Sequence, residues 1–546
     1  MLLTYWHTLR YLKPSQLYER LWFRLYRPRL KQIKNISVRQ PISQFIQTAK
    51  RQKSLLGPTT FSLLNKIGDV EKLGWQDAQR DNLWRYNQHY FDDLNAIDNQ
   101  TRSKWHAKLI DRWIEDNPGY SGIGWEPYPT SLRVVNWIKC FFGGFQPSQH
   151  HEASLATQAN WLSHRLEYHL LGNHLLANAK ALYFAGCYFK GRYAAKWLKS
   201  ARNILKAQIS EQILKDGGHF ELSPMYHALV LEDLLDLINI AKAYGHTSDV
   251  KDWQIYIPQM LLWLKGMSHP DHKIAFFNDS AFGIAPDNSE LIDYAERLGF
   301  RSAYEEIGSR DFDSSGYIRA VNSKAVLICD VAKIGPDYLP GHAHADTLSF
   351  ELSLYEQRVF VNSGTSVYGV SDERLRQRGT NAHNTVVIDE KNSSEVWSGF
   401  RVARRAYPRQ LKVDLNDKEK LIEYSHDGYR RLKGKHTHQR RWLLKNNSLE
   451  ITDTILGNYH NAVSYFHLHP DISVFKSESD KVVLKLTTKI EVSLKVEGGE
   501  LLVKESTWHP EFGKVLNNKC IQISFLKPSI KTTINFLTLN RCTYCS

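Results

Sequence analysis

The chain has 546 residues, 42% of them hydrophobic and 12% aromatic, with 71 Lys and Arg against 57 Asp and Glu for a net charge of +14. That length exceeds what one core usually holds, so two domains, or two plus a small N-terminal unit, are expected, and the apolar content excludes a disordered chain. The positive balance points to an anionic partner (acidic polysaccharide, nucleic acid or an anionic membrane surface) without choosing among them.

Residues 1–30, MLLTYWHTLRYLKPSQLYERLWFRLYRPRL, lack the continuous apolar run and the small-residue cleavage site of a secretory signal. They read as the basic, aromatic, helical start of a first unit over 1–80. This segment is expected to dock onto its own domain, with peripheral membrane contact as the alternative. No run of 18 apolar residues occurs, so no transmembrane helix is expected. With no export signal in view, the cytoplasm is the default location and the periplasm the alternative.

From about 100 to 300 the apolar period is helical, over 101–116, 130–144, 155–171, 173–189, 194–214, 227–245 and 253–267. Short Gly-, Pro- or Asp-containing links separate these stretches, as between antiparallel neighbours, which implies a bundle or an α/α toroid over 81–310. After about 315 the period becomes two, in stretches such as 324–332, 347–354, 440–456 and 482–496, punctuated by turn residues. That pattern predicts a large antiparallel β-sandwich over 311–546, with the junction near 301–316. The fold class is therefore α+β and multidomain. The six cysteines fit no disulfide framework, and Cys542-x-x-Cys545 has no strand–helix context.

Four clusters carry candidate chemistry. GNHLLANAKAL (172–182) opens a helix with Asn173 and His174. DGGHFELSPMYHALVLEDLL (216–235) places Glu221, Tyr226 and His227 around a helix start. GHAHADTLSFEL (341–352) sets His342, His344 and Asp346 at alternate positions. If the backbone is extended from Gly341, all three face the side that Leu348 and Phe350 bury, where polar groups need partners. NSGTSVYGVSDERLRQRGTNAHNTVVID (362–389) brings Arg374, Arg376 and Arg378 ahead of His383 and Asn384. Singly, each has an ordinary reading: a helix cap at Asn173, a satisfied core histidine at His174, packing at Tyr226, a solvated basic loop at the arginines.

Together, in this order, the motifs resemble the heparinase II/III-like polysaccharide lyases from about residue 80 onward. The resemblance implies an incomplete α/α toroid followed by an antiparallel β-sandwich. It implies a lyase that cleaves a uronate-containing acidic polysaccharide, such as a glycosaminoglycan or alginate, by β-elimination. Asn173, with His174, would neutralise the substrate carboxylate as an oxyanion-type donor. Tyr226 and His342 match the family's Tyr and His for the base and acid jobs; the uronate's stereochemistry sets which takes the proton, Tyr226 can serve as both in a syn elimination, and a tyrosine base would need a lowered pKa. Arg374 and Arg378 are candidates to grip carboxylate or sulfate. Trp125 and Tyr128, with Asn87, His89 and Arg133, either line the cleft and stack on sugars or close the helical ring.

The same resemblance sends His342 to the cleft and His344 the other way, as a ligand of a structural zinc with His383. The position where the family has Asp holds Asn362 here, a weaker ligand, with Asp346 as a substitute donor. No organic cofactor, nucleotide motif, nucleophile elbow or nucleic-acid-binding module is found. A uronate epimerase on the same scaffold, or a non-catalytic glycan-binding protein of surface polysaccharide assembly, are the alternatives. Ultraviolet absorbance of an unsaturated product separates the lyase from both.

Overall fold

The computed structural model describes residues 2–28, 32–301, 307–487 and 490–538. Helices dominate 82–297 and strands dominate 310–538, giving an α/α toroid followed by an antiparallel β-sandwich. The Cys542-x-x-Cys545 pair lies outside the described residues.

The helices Pro127–Phe142, Gly172–Tyr188 and Pro224–Ala243 are buried on nearly every side, as inner-ring helices must be. Ser103–Asp116 and Arg192–Gln212 instead bury a single stripe, Leu109, Ile110 and Trp113 in the first and Trp197, Ala201 and Leu205 in the second. Two expected helices change shape. The 155–171 stretch begins its helix at Gln149 and ends it at Ser163, leaving a turn that closes on Leu171 at φ +63°. The 253–267 stretch is split between Thr247–Gln254 and Ile257–Gly266, where Pro258 starts a new helix because it has no N–H to continue an old one.

Among the described residues, the expected helical unit over 1–80 is helical at Leu2–Leu9 and Pro14–Leu25, with one further turn at Val70–Leu73. Residues 32–59 instead run over the toroid. Ile33 and Leu55 join its core, and Arg51 pairs with Glu232 at 2.5 Å. A hairpin, Thr60–Leu63 with Lys66–Asp69, follows. These residues lack helical periodicity because they cover a surface that the ring helices already define.

In the sandwich, five strands between Arg310 and Phe360 form an antiparallel meander. An eight-stranded sheet faces it across one core that includes Leu327, Phe350, Leu352, Trp442, Ile451 and Ile534. A four-stranded sheet adds Val386–Ile388 and Ala462–His467. Leu222, Trp263, Phe277, Phe312 and Tyr317 pack along the seam between toroid and sandwich. Polar contacts lock that seam: His269 meets Ser353 at 2.7 Å and Glu351 at 2.9 Å, and Arg358 forks onto Asp271 at 2.7 and 3.0 Å.

The strand expected from 347 begins at Phe350. Residues 341–349 form a looped segment with Leu348 at φ +62°, so His342, His344 and Asp346 do not share one strand face. The reason lies in the contacts. Each of the three reaches the 278–279 segment from a different backbone orientation.

Candidate active site

Tyr226 sits in the first turn of its helix, fixed by the cap that precedes it. The Ser223 hydroxyl accepts from the Tyr226 N–H at 3.2 Å and donates to the Asp279 carbonyl at 2.6 Å. This one cap ties a toroid helix to the segment that leads into the sandwich. The Tyr226 ring lies 3.9 Å from the His342 ring, centroid to centroid, and its hydroxyl is 3.1 Å from that of Tyr368. Residues from the helical part and the sheet part therefore meet here.

Asp279 is the hub. Its buried carboxylate takes both Nη atoms of Arg374 (Nη2 at 2.7 Å), His342 Nδ1 at 2.9 Å, His344 Nε2 at 2.8 Å and the Thr365 hydroxyl at 3.3 Å. Although burial opposes the charge, Arg374 and the two imidazoles hold the Asp279 carboxyl well below the usual carboxylate range. An ionised carboxylate accepts only, so the facing nitrogens, His342 Nδ1 and His344 Nε2, carry the hydrogens. In the neutral imidazole the lone pair is then on His342 Nε2, 3.7 Å from Glu221 Oε2.

Glu221 is buried, which pushes its carboxyl up, while His342, His174 and the Asn173 N–H pull it the other way. Asn173 and His174 stand in the first turn of their helix, after Leu171 and Gly172, both at positive φ. A Cβ on Gly172 would come 2.4 Å from the tip of Leu339 and 3.1 Å from Glu221, and the φ of +55° there is one that glycine adopts without strain. His174 is held by Glu167 at 3.2 Å and packs at a tilt on Tyr128, ring centroids 4.5 Å apart. A cavity of about 110 Å³ opens beside these groups, with Tyr90, Tyr128, Tyr226, Tyr368 and Asn87 among its lining. At its floor Lys139 and Lys180 are already paired with Asp236, and Arg51 with Glu232.

Several expected roles are corrected. Trp125 is buried, donating to the Asn117 carbonyl at 3.2 Å and packing on Trp113 and Trp161; it closes the ring, as do His89 and Arg133. Arg374 is sealed onto Asp279, and Arg378 donates to the Ala343 carbonyl at 2.9 Å, both fully buried. Neither guanidinium faces a substrate; both shape the loop carrying His342. His227 bonds the Met260 carbonyl at 2.9 Å and is structural. Tyr226 does not have a lowered pKa. Burial, then Tyr368 and Asp279, push it well above the ordinary phenol value.

Nothing in the local sequence marks Asp279 or Tyr368. Asp279 lies in FFNDSAFG (276–283), where no helical or alternating pattern frames it, and Tyr368 lies in an irregular stretch ahead of the 374–378 arginines.

The histidines expected to bind metal do lie together. His344 Nδ1 and His383 Nε2 are 3.3 Å apart, and with an Asp346 oxygen they form a set within 4.8 Å of one another. Ligands about 2.0–2.1 Å from a tetrahedral zinc stand about 3.3–3.4 Å apart, so the two nitrogens fit. Burial holds His344 neutral, at about 4, and His383 well below its ordinary value. Asp279 fixes the His344 hydrogen on Nε2, leaving Nδ1 free as a ligand with a carboxylate behind it. Asn362 does not fit as placed. Its Oδ1 accepts the Asn384 N–H at 3.2 Å, its buried Nδ2 has no hydrogen-bond partner, and Asp346 is the oxygen donor grouped with the two histidines.

Residues 62–295 match the family model of the heparinase II/III N-terminus, and residues 306–537 that of the heparinase II/III-like C-terminal region. A heparin-sulfate lyase of Bacteroides stercoris is 26% identical over 467 residues, covering 76% of this chain and 67% of that protein. One from Pedobacter heparinus is 26% identical over 466 residues, covering 77% and 65%. The chain thus matches about two thirds of the length of these relatives. The crystal structure of heparinase III shares the fold, with a TM-score of 0.71 at 19% identity over 88% of this chain and 80% of that one.

Proposed function

The chain belongs to the heparinase II/III-like family, and on that premise we propose that it is a polysaccharide lyase that cleaves a uronate-containing glycosaminoglycan by β-elimination. The observation that carries this reading is the contact of Tyr226 with His342, the approach of His342 to Glu221, whose carboxylate the Asn173 N–H also meets, and the aiming of His342 by the ionised Asp279. The relatives are heparin-sulfate lyases, which favours a heparan-type substrate.

The residue roles follow from the proton inventory. His342 Nε2 has the free lone pair and takes the proton on the carbon beside the carboxylate. The electron pair forms a double bond to the next carbon as the glycosidic C–O bond there breaks. Tyr226, held protonated by its surroundings, donates to the departing oxygen. Asn173, with His174 beside it, donates to the carboxylate oxygens as negative charge builds on them. Glu221 Oε2 lies 3.7 Å from His342 Nε2, and in its ionised form it would offset the positive charge that forms on the imidazole. Where zinc is bound, His344, His383 and Asp346 would hold it, and it would supply structural cross-linking of the loop beside His342.

The test is absorbance of unsaturated uronate when the purified protein meets heparan sulfate, heparin, chondroitin sulfate and alginate. Absorbance that rises with turnover supports the lyase. Solvent deuterium entering the polymer without such absorbance would instead identify an epimerase, and neither signal would overturn both readings.

A further inference from the structure

The N-terminal helices are built inside out. In Leu2–Leu9 and Pro14–Leu25 the large apolar residues are the exposed ones: Leu2 at 88%, Trp6 at 64%, Leu21 at 61% and Leu25 at 72%. Leu17, Tyr18, Leu21, Trp22 and Leu25 form one continuous stripe at helical spacing, all outward, while the single buried residue of that helix is Gln16. A helix that docks on its own protein shows the reverse.

Its inner face is held instead by polar contacts and a few rings. Lys13 pairs with Glu211 at 2.5 Å, Gln16 donates to the Tyr338 carbonyl at 3.2 Å, Arg165 donates to the Phe23 carbonyl at 2.7 Å, and Tyr5 meets Trp397 edge-on. The pair is therefore fixed in orientation with its apolar side left out, a patch far from the single scattered hydrophobes of an ordinary surface.

Charge says what covers it. Residues 1–34 hold eight Lys and Arg against one acid, Glu19, which is half of the chain's net +14. Arg20 is crowded by Arg401 and Arg24, cations that depress it further after burial does so. By contrast the cations at the cleft floor are already paired with acids.

We propose that these two helices form a monotopic docking surface for an anionic phospholipid bilayer. The Leu and Trp stripe enters the acyl boundary, Tyr and Trp sit at headgroup depth, and the flanking arginines meet lipid phosphates. This reverses the expectation that the segment simply packs on its own domain. No described helix is long and apolar enough to cross a membrane, so the contact is with one leaflet. The inference does not rest on the lyase reading.

The experiment is cosedimentation of the full chain with vesicles of phosphatidylcholine alone and of phosphatidylcholine with phosphatidylglycerol, at low and high salt. Binding should require the anionic lipid and weaken with salt. A Trp6→Ser, Leu21→Ser double variant should lose about tenfold or more in partitioning with an unchanged melting temperature, since both side chains face out. Arg24→Gln with Arg27→Gln should remove mainly the anionic-lipid preference. Three results would overturn the proposal: no binding to the anionic vesicles, equal binding by the double variant, or a dimer in solution that the same two substitutions dissociate, which would make a second copy the occupant.

Discussion

Replacing Asp279 by Asn tests the hub with almost no change in volume. The substitution strands Arg374, whose guanidinium is fully buried and forked onto that carboxylate, and turns one acceptor into a donor facing groups that already donate. Removing one partner of a buried ion pair costs about 3–5 kcal/mol. His342 also loses the anion that keeps its hydrogen on Nδ1, so Nε2 would no longer be reliably the acceptor. Loss of such an orienting carboxylate lowers turnover by on the order of a hundred- to ten-thousandfold. Calorimetry and the rate of unsaturated-product formation measure the two effects, and Arg374→Met serves as the companion. That variant should lose stability while keeping more activity, because the Asp279–His342 contact survives. If Asp279→Asn kept the wild-type rate and the nitrogen-15 shifts of His342 were unchanged, the assignment of Asp279 as the orienting group would be wrong.

Tyr226→Phe should abolish turnover and leave the melting temperature near wild type, since the ring packing on His342 remains; full activity would sink the proposed acid. Asn173→Ala should lower the rate by roughly a hundredfold with a smaller change in KM. Metal analysis of protein purified without chelator should find at most one zinc per chain, lost in His383→Ala; unchanged metal content and stability in that variant would make the histidine pair ordinary packing. Stability should also fall with acid. His89 and His227 are held neutral at about 3 and His467 at about 4, all by burial, against about 6.5 for an unfolded imidazole. The contribution is complete above about pH 6.5. It is lost as pH falls toward about 4 for His467 and about 3 for His89 and His227, because the unfolded chain binds protons that the fold refuses, at about 1.4 kcal/mol per pH unit for each histidine. A melting temperature that stays flat over this window would contradict that account.

The sequence by itself determined the order of the two layers. A period of 3.6 and a period of two are properties of local burial, and each survives in whatever tertiary setting the element finds. The resemblance of four motifs in order, and not any one of them, nominated Asn173, Tyr226 and His342 for the proposed chemistry. What periodicity could not carry was the direction of a side chain in an irregular segment. His342 and His344 are two apart in a loop, and the two oxygens of Asp279 decide where each ring points. Arg374 and Arg378 look like surface cations in one dimension and are buried in three, since only the fold reveals the carboxylate and the carbonyl that receive them. Trp125 belongs to the ring for the same reason: aromatic rings at a helix start serve a core or a cleft equally well until the neighbouring helices close on one side. The N-terminal helices are the converse case. Their amphipathic spacing is plain in the sequence, yet which face turns outward is set by the polar anchors at Glu211, Arg165 and Tyr338.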